Sequence, residues 1–165
     1  MRTTDEAVPL SGSDPDAFRH RTRLRVRWGE CDMQGIVFNP HYMAYVDVAL
    51  TEYWRTVGLP YPQAFLAADT DTFMVAATQT YRDAARFDDE IDVCLRTEYL
   101  GTTSFRIAFE IRWAADTLVA GSATYVVGDR TTRAPRRLAA AMIEAITAFE
   151  PTAPERKQGA QQQTG

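Results

Sequence analysis

An α+β fold is what the sequence predicts: a five-stranded antiparallel sheet wrapped around a long central helix, plus a C-terminal helix. Three observations carry it. One long stretch with helical apolar spacing sits early in the chain, over about 40–57. Four strand-like segments then follow, most of them joined by links too short for crossover helices. With 165 residues, 45% of them hydrophobic, the chain has enough apolar mass for a single core and one domain.

Residues 21–28 alternate strictly. Arg21, Arg23, Arg25 and Arg27 fall on one side, and Thr22, Leu24, Val26 and Trp28 on the other, as in a strand with one buried face. After an aperiodic stretch, Gly29 to Phe38, come Asn39, suited to cap a helix, and Pro40, suited to its first turn. Tyr42, Tyr45, Val46, Ala49, Leu50, Tyr53, Trp54 and Val57 then recur at helical spacing until Gly58 and Pro60 stop the helix.

A partly helical link over 62–68 leads to strands expected at 72–82, 90–100, 104–113 and 118–127, read as a meander. Gly101-Thr-Thr and Ala115-Asp116 are short enough for hairpins. A loop over 128–137 leads to the last helix, 138–149, apolar at Leu138, Met142, Ile143, Ile146 and Phe149. Residues 1–18 and 150–165, rich in Pro, Ser, Gly, Gln and charge without periodicity, are expected to be disordered, leaving one folded domain over 19–149.

Composition narrows the chemistry. Two Cys and two His, at spacings that match no paired-ligand pattern, give no metal site. The only lysine is Lys157 in the tail, so Schiff-base chemistry has no lysine inside the fold. Eighteen basic against 22 acidic residues, a formal charge of −4, argue against nucleic acid as partner. No apolar run suits membrane insertion and no secretory signal is visible. With Cys31 and Cys94 unlikely to pair, a cytoplasmic location is expected.

The informative stretch is Arg27–Tyr45, RWGECDMQGIVFNPHYMAY. A loop holding Glu30, Cys31 and Asp32 runs into a helix N-terminus, whose unpaired N–H groups carry about half a positive charge. A carbonyl oxygen held at those N–H groups, with the Asp32 carboxylate near its carbon or a water, is an arrangement for acyl transfer. Cys31 lacks a His placed to activate it and reads as a small loop residue. Ser104 and Ser122 lack the nucleophile-elbow pattern. Glu30 reads as solvent-exposed or structural, Glu52 as a salt-bridging structural residue, and Arg21–Arg27 as a solvated strand face.

Asp32-x-x-Gly35-Ile-Val-Phe38-x-Pro40-x-Tyr42, opening a long helix, resembles the hotdog-fold acyl-CoA thioesterases, in the branch of 4-hydroxybenzoyl-CoA thioesterase and the Tol–Pal-associated thioesterase. Tyr81–Asp89 (YRDAARFDD) and Gly101-Thr-Thr-Ser-Phe105 are similar to that branch's strand-turn and hairpin segments. The resemblance implies acyl-CoA hydrolysis to a free acid and CoA, with no cofactor. It gives Asp32 the role of nucleophile or general base, and the backbone N–H near Asn39 that of polarising the carbonyl. It implies a homodimer at least, with a homotetramer expected, and a site at the subunit interface. Gly35, Phe38, His41 and Tyr42 would line it, with Gly101, Thr102, Thr103 and Ser104 of the partner, while Arg133, Arg136 and Arg137 would meet the CoA phosphates. Asn39 stands where the family often has Tyr or His. An acyl-carrier-protein thioester as substrate, an enoyl-CoA hydratase and a non-catalytic acyl-thioester-binding protein remain alternatives. For the hydratase, Val37 stands five residues after Asp32 where that pattern wants His.

Overall fold

The structure, a computed structural model, describes residues 15–156. Strand β1 (His20–Arg25) is followed by helix α1 (His41–Thr56), a short helix α2 (Gln63–Ala67) and strands β2 (Thr70–Tyr81), β3 (Glu90–Leu100), β4 (Ser104–Trp113) and β5 (Asp116–Asp129). Helix α3 (Ala140–Phe149) and a two-residue strand β6 (Glu155–Arg156) complete the order. Among the described residues no helix is long and apolar enough to cross a membrane.

The four later strands appear within two residues of their predicted ends, because alternation marks a half-buried strand directly. Their order differs from a meander: it runs β1-β3-β4-β5-β2, all antiparallel, with β6 pairing parallel to β3 at Tyr99 and Leu100. β2 therefore lies on the far edge, paired to β5 and not to β3. Residues 82–89 carry the chain across the end of the sheet, and Ala85 in that link is fully buried. No turn signal announces such a crossing.

β1 ends at Arg25, opposite Glu90, where β3 begins and the partner backbone runs out. Trp28, expected on the buried face, instead opens a 3-10 turn and is 80% exposed. The arginine face of β1 is paired: Arg23 with Asp92, and Arg25 with Asp88 and Glu90.

α1 buries Tyr42, Tyr45, Val46, Ala49, Leu50, Tyr53 and Trp54. Trp54 meets Phe105 of β4 edge-on at 5.3 Å and Phe65 of α2 at 5.4 Å, tying helix, sheet and connection into one core. The helix ends in a Schellman motif: Leu59 N–H reaches Trp54 O (2.8 Å) and Gly58 N–H reaches Arg55 O (3.1 Å), with Gly58 at φ +81°.

The terminal segments are structured further than composition suggests. Pro15–Ala17 form a 3-10 turn, Phe18 is buried beside Cys94 and Ala108, and Glu150 is buried. Disorder therefore does not hold for 15–18 and 150–156. Residues 1–14 and 157–165 lie outside the described residues.

Gly121 marks the tightest crossing in the sheet. A Cβ there would overlap the Thr78 carbonyl oxygen of β2 and sit 2.6 Å from the Phe109 ring. Gly121→Ala is expected to destabilise the fold by about 2 kcal/mol through overpacking. An unchanged midpoint in chemical denaturation would show that β2 yields freely.

Candidate active site

The Asp32 loop is a small hairpin. Cys31 pairs with Val37, Asp32 N–H donates to Ile36 O at 2.9 Å, and Gly35 N–H donates to Asp32 O at 3.0 Å. Gly35 sits at φ +74°, a conformation glycine adopts without the usual side-chain clash. The Asp32 carboxylate accepts the Gln34 N–H through Oδ1 at 2.7 Å, while Oδ2 has no partner among the described residues. Val37 N–H donates to Ala85 O at 2.8 Å and Ile36 bridges to Arg86, so the link leaving β2 holds the hairpin from behind.

Glu30 is the anchor on the other side. Its Oε2 accepts the Tyr45 hydroxyl at 2.6 Å and the Arg27 N–H at 2.8 Å, and its backbone oxygen accepts Phe38 N–H at 2.9 Å. Burial, and then the bond to Glu30, pushes the Tyr45 phenol far up, so it stays a donor. Tyr42 accepts Ala85 N–H on its hydroxyl at 2.9 Å, and burial raises this phenol too. Desolvation, then the Glu30 and Asp32 charges, raises the Cys31 thiol, the opposite of what a thiolate nucleophile needs.

α1 begins one residue later than its sequence signals suggest. Pro40 occupies the cap position, without a side-chain cap, and the Asn39 side chain does not perform the capping expected of it. The Asn39 carbonyl accepts Tyr42 N–H at 3.3 Å and the Phe38 carbonyl accepts His41 N–H at 2.9 Å. Asn39 N–H is left without an acceptor among the described residues.

A cavity of about 500 Å³ opens at this end of the molecule. Asp32, Phe38, Asn39 and Tyr42 line it together, as expected from sequence. So do Gln34, Ile36 and Val37, and Tyr81, Arg82, Asp83 and Ala84 from the crossing link, to which sequence reasoning gave no site role. The Tyr81–Asp89 segment had been singled out as a motif, but its place beside the loop follows from the displaced β2 edge, which has no local signal. Gly35 and His41 do not line the cavity. Gly35 shapes the hairpin, and His41 sits half-buried with its ring edge-on to Phe38 at 6.3 Å.

The other expected residues lie at the opposite end of α1, whose 16 residues span about 24 Å. Gly101 N–H closes its hairpin on Ser104 O, Thr103 O accepts Val127 N–H, and Thr102 O accepts Leu138 N–H. Arg136 is ion-paired with Asp129 at 2.6 Å, and Arg133 lies over the Phe73 ring at 5.7 Å. Backbone N–H bonds from the loop, then Arg136, hold the Asp129 carboxyl well below its ordinary range. Arg136 and Arg137 border a second, largely apolar cavity of about 580 Å³ with Leu59, Phe65, Val127 and Met142. None of the three loop arginines lines the Asp32 cavity.

Asp32, with one carboxylate oxygen free, and Asn39, whose backbone N–H has no acceptor among the described residues, thus line one cavity beside a sheet packed against a helix. Residues 34–120 match the family model described as the thioesterase superfamily, and the chain belongs to that family. A candidate esterase of Aquifex aeolicus (strain VF5) is 30% identical over 87 residues, covering 53% of this chain and 67% of that protein. A hypothetical protein from Thermus thermophilus superposes with TM-score 0.74 at 22% identity, over 79% of this chain and 99% of that one. A 1,4-dihydroxy-2-naphthoyl-CoA thioesterase from Synechocystis does so with TM-score 0.71 at 19% identity, over 77% and 94%. These two likenesses establish the shared fold.

Proposed function

We propose that the protein hydrolyses an acyl-CoA thioester to the free acid and CoA. The observation that carries the reading is the shared cavity of Asp32 and the unpaired Asn39 N–H. The thioester oxygen would take the Asn39 N–H, which stabilises the oxyanion as it develops. Asp32, through the oxygen that Gln34 leaves free, would deprotonate a water that attacks the carbonyl carbon, or attack that carbon itself to give a mixed anhydride that water then cleaves to the free acid. The thiolate of CoA leaves, and no cofactor is assigned a step. Family membership supports thioester chemistry, while the cavity's Phe38, Tyr42 and Tyr81 suit an apolar acyl group.

The same reading includes a homodimer built through β2. This twelve-residue strand pairs with β5 on one side only, and Met74, Val75 and Tyr81 are 42%, 59% and 46% exposed. A long apolar edge of this kind is a template for another strand. Antiparallel pairing about a two-fold axis would set the Tyr81 end of one β2 beside the Thr70 end of the other. That end adjoins the Gly101–Ser104 hairpin and Arg137, so the second copy would bring both toward the Asp32 cavity. The arginine that already lines it is Arg82.

Thiol release measured across short, medium, long and aromatic acyl-CoAs, with acyl-carrier-protein thioesters alongside, is expected to show turnover on at least one CoA thioester. Light scattering on the same sample is expected to give two or four times 18.5 kDa. Binding without thiol release across the panel would make the protein a non-catalytic acyl-thioester binder, and a monomer would remove the interface site.

A further inference from the structure

Two side-chain atoms are buried and left without a hydrogen bond among the described residues: the Tyr125 hydroxyl and the Gln79 Oε1. They lie on adjacent strands. In the β2–β5 ladder Tyr81 faces Val119, Gln79 faces Gly121, Ala77 faces Ala123 and Met74 faces Tyr125. Tyr125 is 4% exposed, and its ring stacks on Phe105 at 5.2 Å. Phe105 meets Trp54 of α1, so this face of the sheet is the one turned toward the helix.

A buried hydroxyl or amide oxygen without a hydrogen bond carries an uncompensated desolvation penalty, so a fold that keeps two on one face points to a ligand that satisfies them. Between them the floor carries Ala77 and Ala123, too short to bond either. At one end Tyr81 belongs both to this floor and to the Asp32 cavity, and Gln79 precedes it by two residues, about 7 Å. At the other end Asp47 of α1 is near enough that its charge, after burial, raises the Tyr125 phenol. Asp47 stands eight residues beyond Asn39, about 12 Å along the helix. Gln79 and Tyr125 thus stand at successive register positions along the floor, leading away from Tyr81 and the Asp32 cavity.

We propose that this floor binds the acyl group and that Tyr125 and Gln79 select an acyl chain carrying an uncharged hydroxyl distal to the thioester carbonyl. The inference rests on the thioesterase reading above. A hydroxyl can donate to Gln79 Oε1 or exchange a bond with the Tyr125 phenol, whereas a terminal carboxylate would meet the like charge of Asp47. A site built to bond a hydroxyl rejects the analogue that lacks it, because the protein groups are then left unpaired.

The test compares kcat/KM for octanoyl-CoA and its hydroxyl-bearing analogues, the hydroxyl moved stepwise along the chain. The parent protein is expected to favour one hydroxyoctanoyl-CoA by tenfold or more. Tyr125→Phe, which keeps the ring and its stacking, is expected to shrink that ratio to below about threefold. Gln79→Met serves as the second variant and is expected to move the ratio the same way. No preference in the parent, or a ratio unmoved in both variants, overturns the inference while leaving hydrolysis intact. Absence of thiol release from every substrate overturns the thioesterase reading and this inference with it. The same pairs as N-acetylcysteamine thioesters separate the two arms of the substrate. If Tyr125→Phe slows both CoA thioesters equally and spares the N-acetylcysteamine ones, the orphaned atoms hold the pantetheine arm and the acyl assignment falls.

Discussion

Asp32→Asn is expected to lower kcat for acyl-CoA hydrolysis by about 100-fold or more while leaving the melting temperature close to that of the parent. The asymmetry follows from the two carboxylate oxygens. Oδ1 accepts the Gln34 N–H at 2.7 Å, and an asparagine oxygen can accept it equally well. The hairpin's other bonds, from Asp32 N–H to Ile36 O and from Gly35 N–H to Asp32 O, are backbone bonds that the substitution does not touch. What the amide lacks is a nucleophilic or basic second oxygen. Asp32→Ala removes the turn bond as well, so it tests chemistry and loop order together. Measured beside each other by thiol release and thermal melting, the two variants separate those contributions. An Asn variant as active as the parent would move the chemistry to another group in the cavity.

The local parts of this site were legible in sequence, and the long-range parts were not. Asp32, Phe38, Asn39 and Tyr42 fall within eleven consecutive residues, so a loop ending at a helix start was enough to assemble them. The Asn39 side chain does not cap the helix as its type suggests: Pro40 takes the cap position, and the asparagine contributes its carbonyl, which accepts the Tyr42 N–H, while its own N–H has no acceptor among the described residues. Tyr81–Ala84 enter the cavity only because β2 sits beyond β5 and its exit crosses the sheet. Strand order depends on pairings about 40 residues apart in sequence, such as Gln79 with Gly121, which alternation cannot rank. Trp28 shows the same limit in miniature. Its alternation continues that of β1, but the partner strand has already run out at Glu90.

Glu150 gives the largest expected effect on stability, and composition hid it in a segment, Glu150-Pro-Thr-Ala-Pro, that reads as tail. Its carboxylate accepts the Tyr53 hydroxyl at 2.6 Å and the Thr97 N–H at 2.7 Å, tying the end of α3 to α1 and β3. Tyr53 and Thr97 are themselves buried, with a 2.9 Å bond between their side-chain oxygens. Glu150→Ala orphans the Thr97 N–H and weakens the hold on Tyr53, for an expected loss of about 3 kcal/mol in urea denaturation. Glu150→Gln keeps an acceptor oxygen for both bonds and is expected to lose much less. The charge itself opposes folding, because burial raises the Glu150 carboxyl above its ordinary value despite those two bonds. A raised folded value means the unfolded chain ionises first as pH rises. The stability this group contributes is complete below about pH 4.5, declines as pH climbs through the folded value, and is flat above it. The parent is therefore expected to lose stability relative to Glu150→Gln between pH 4 and the folded value of the carboxyl. A pH-independent difference between the two would mean that the native state holds Glu150 at no cost in charge burial, and that the Tyr53–Thr97 pair solvates the carboxylate as well as water does.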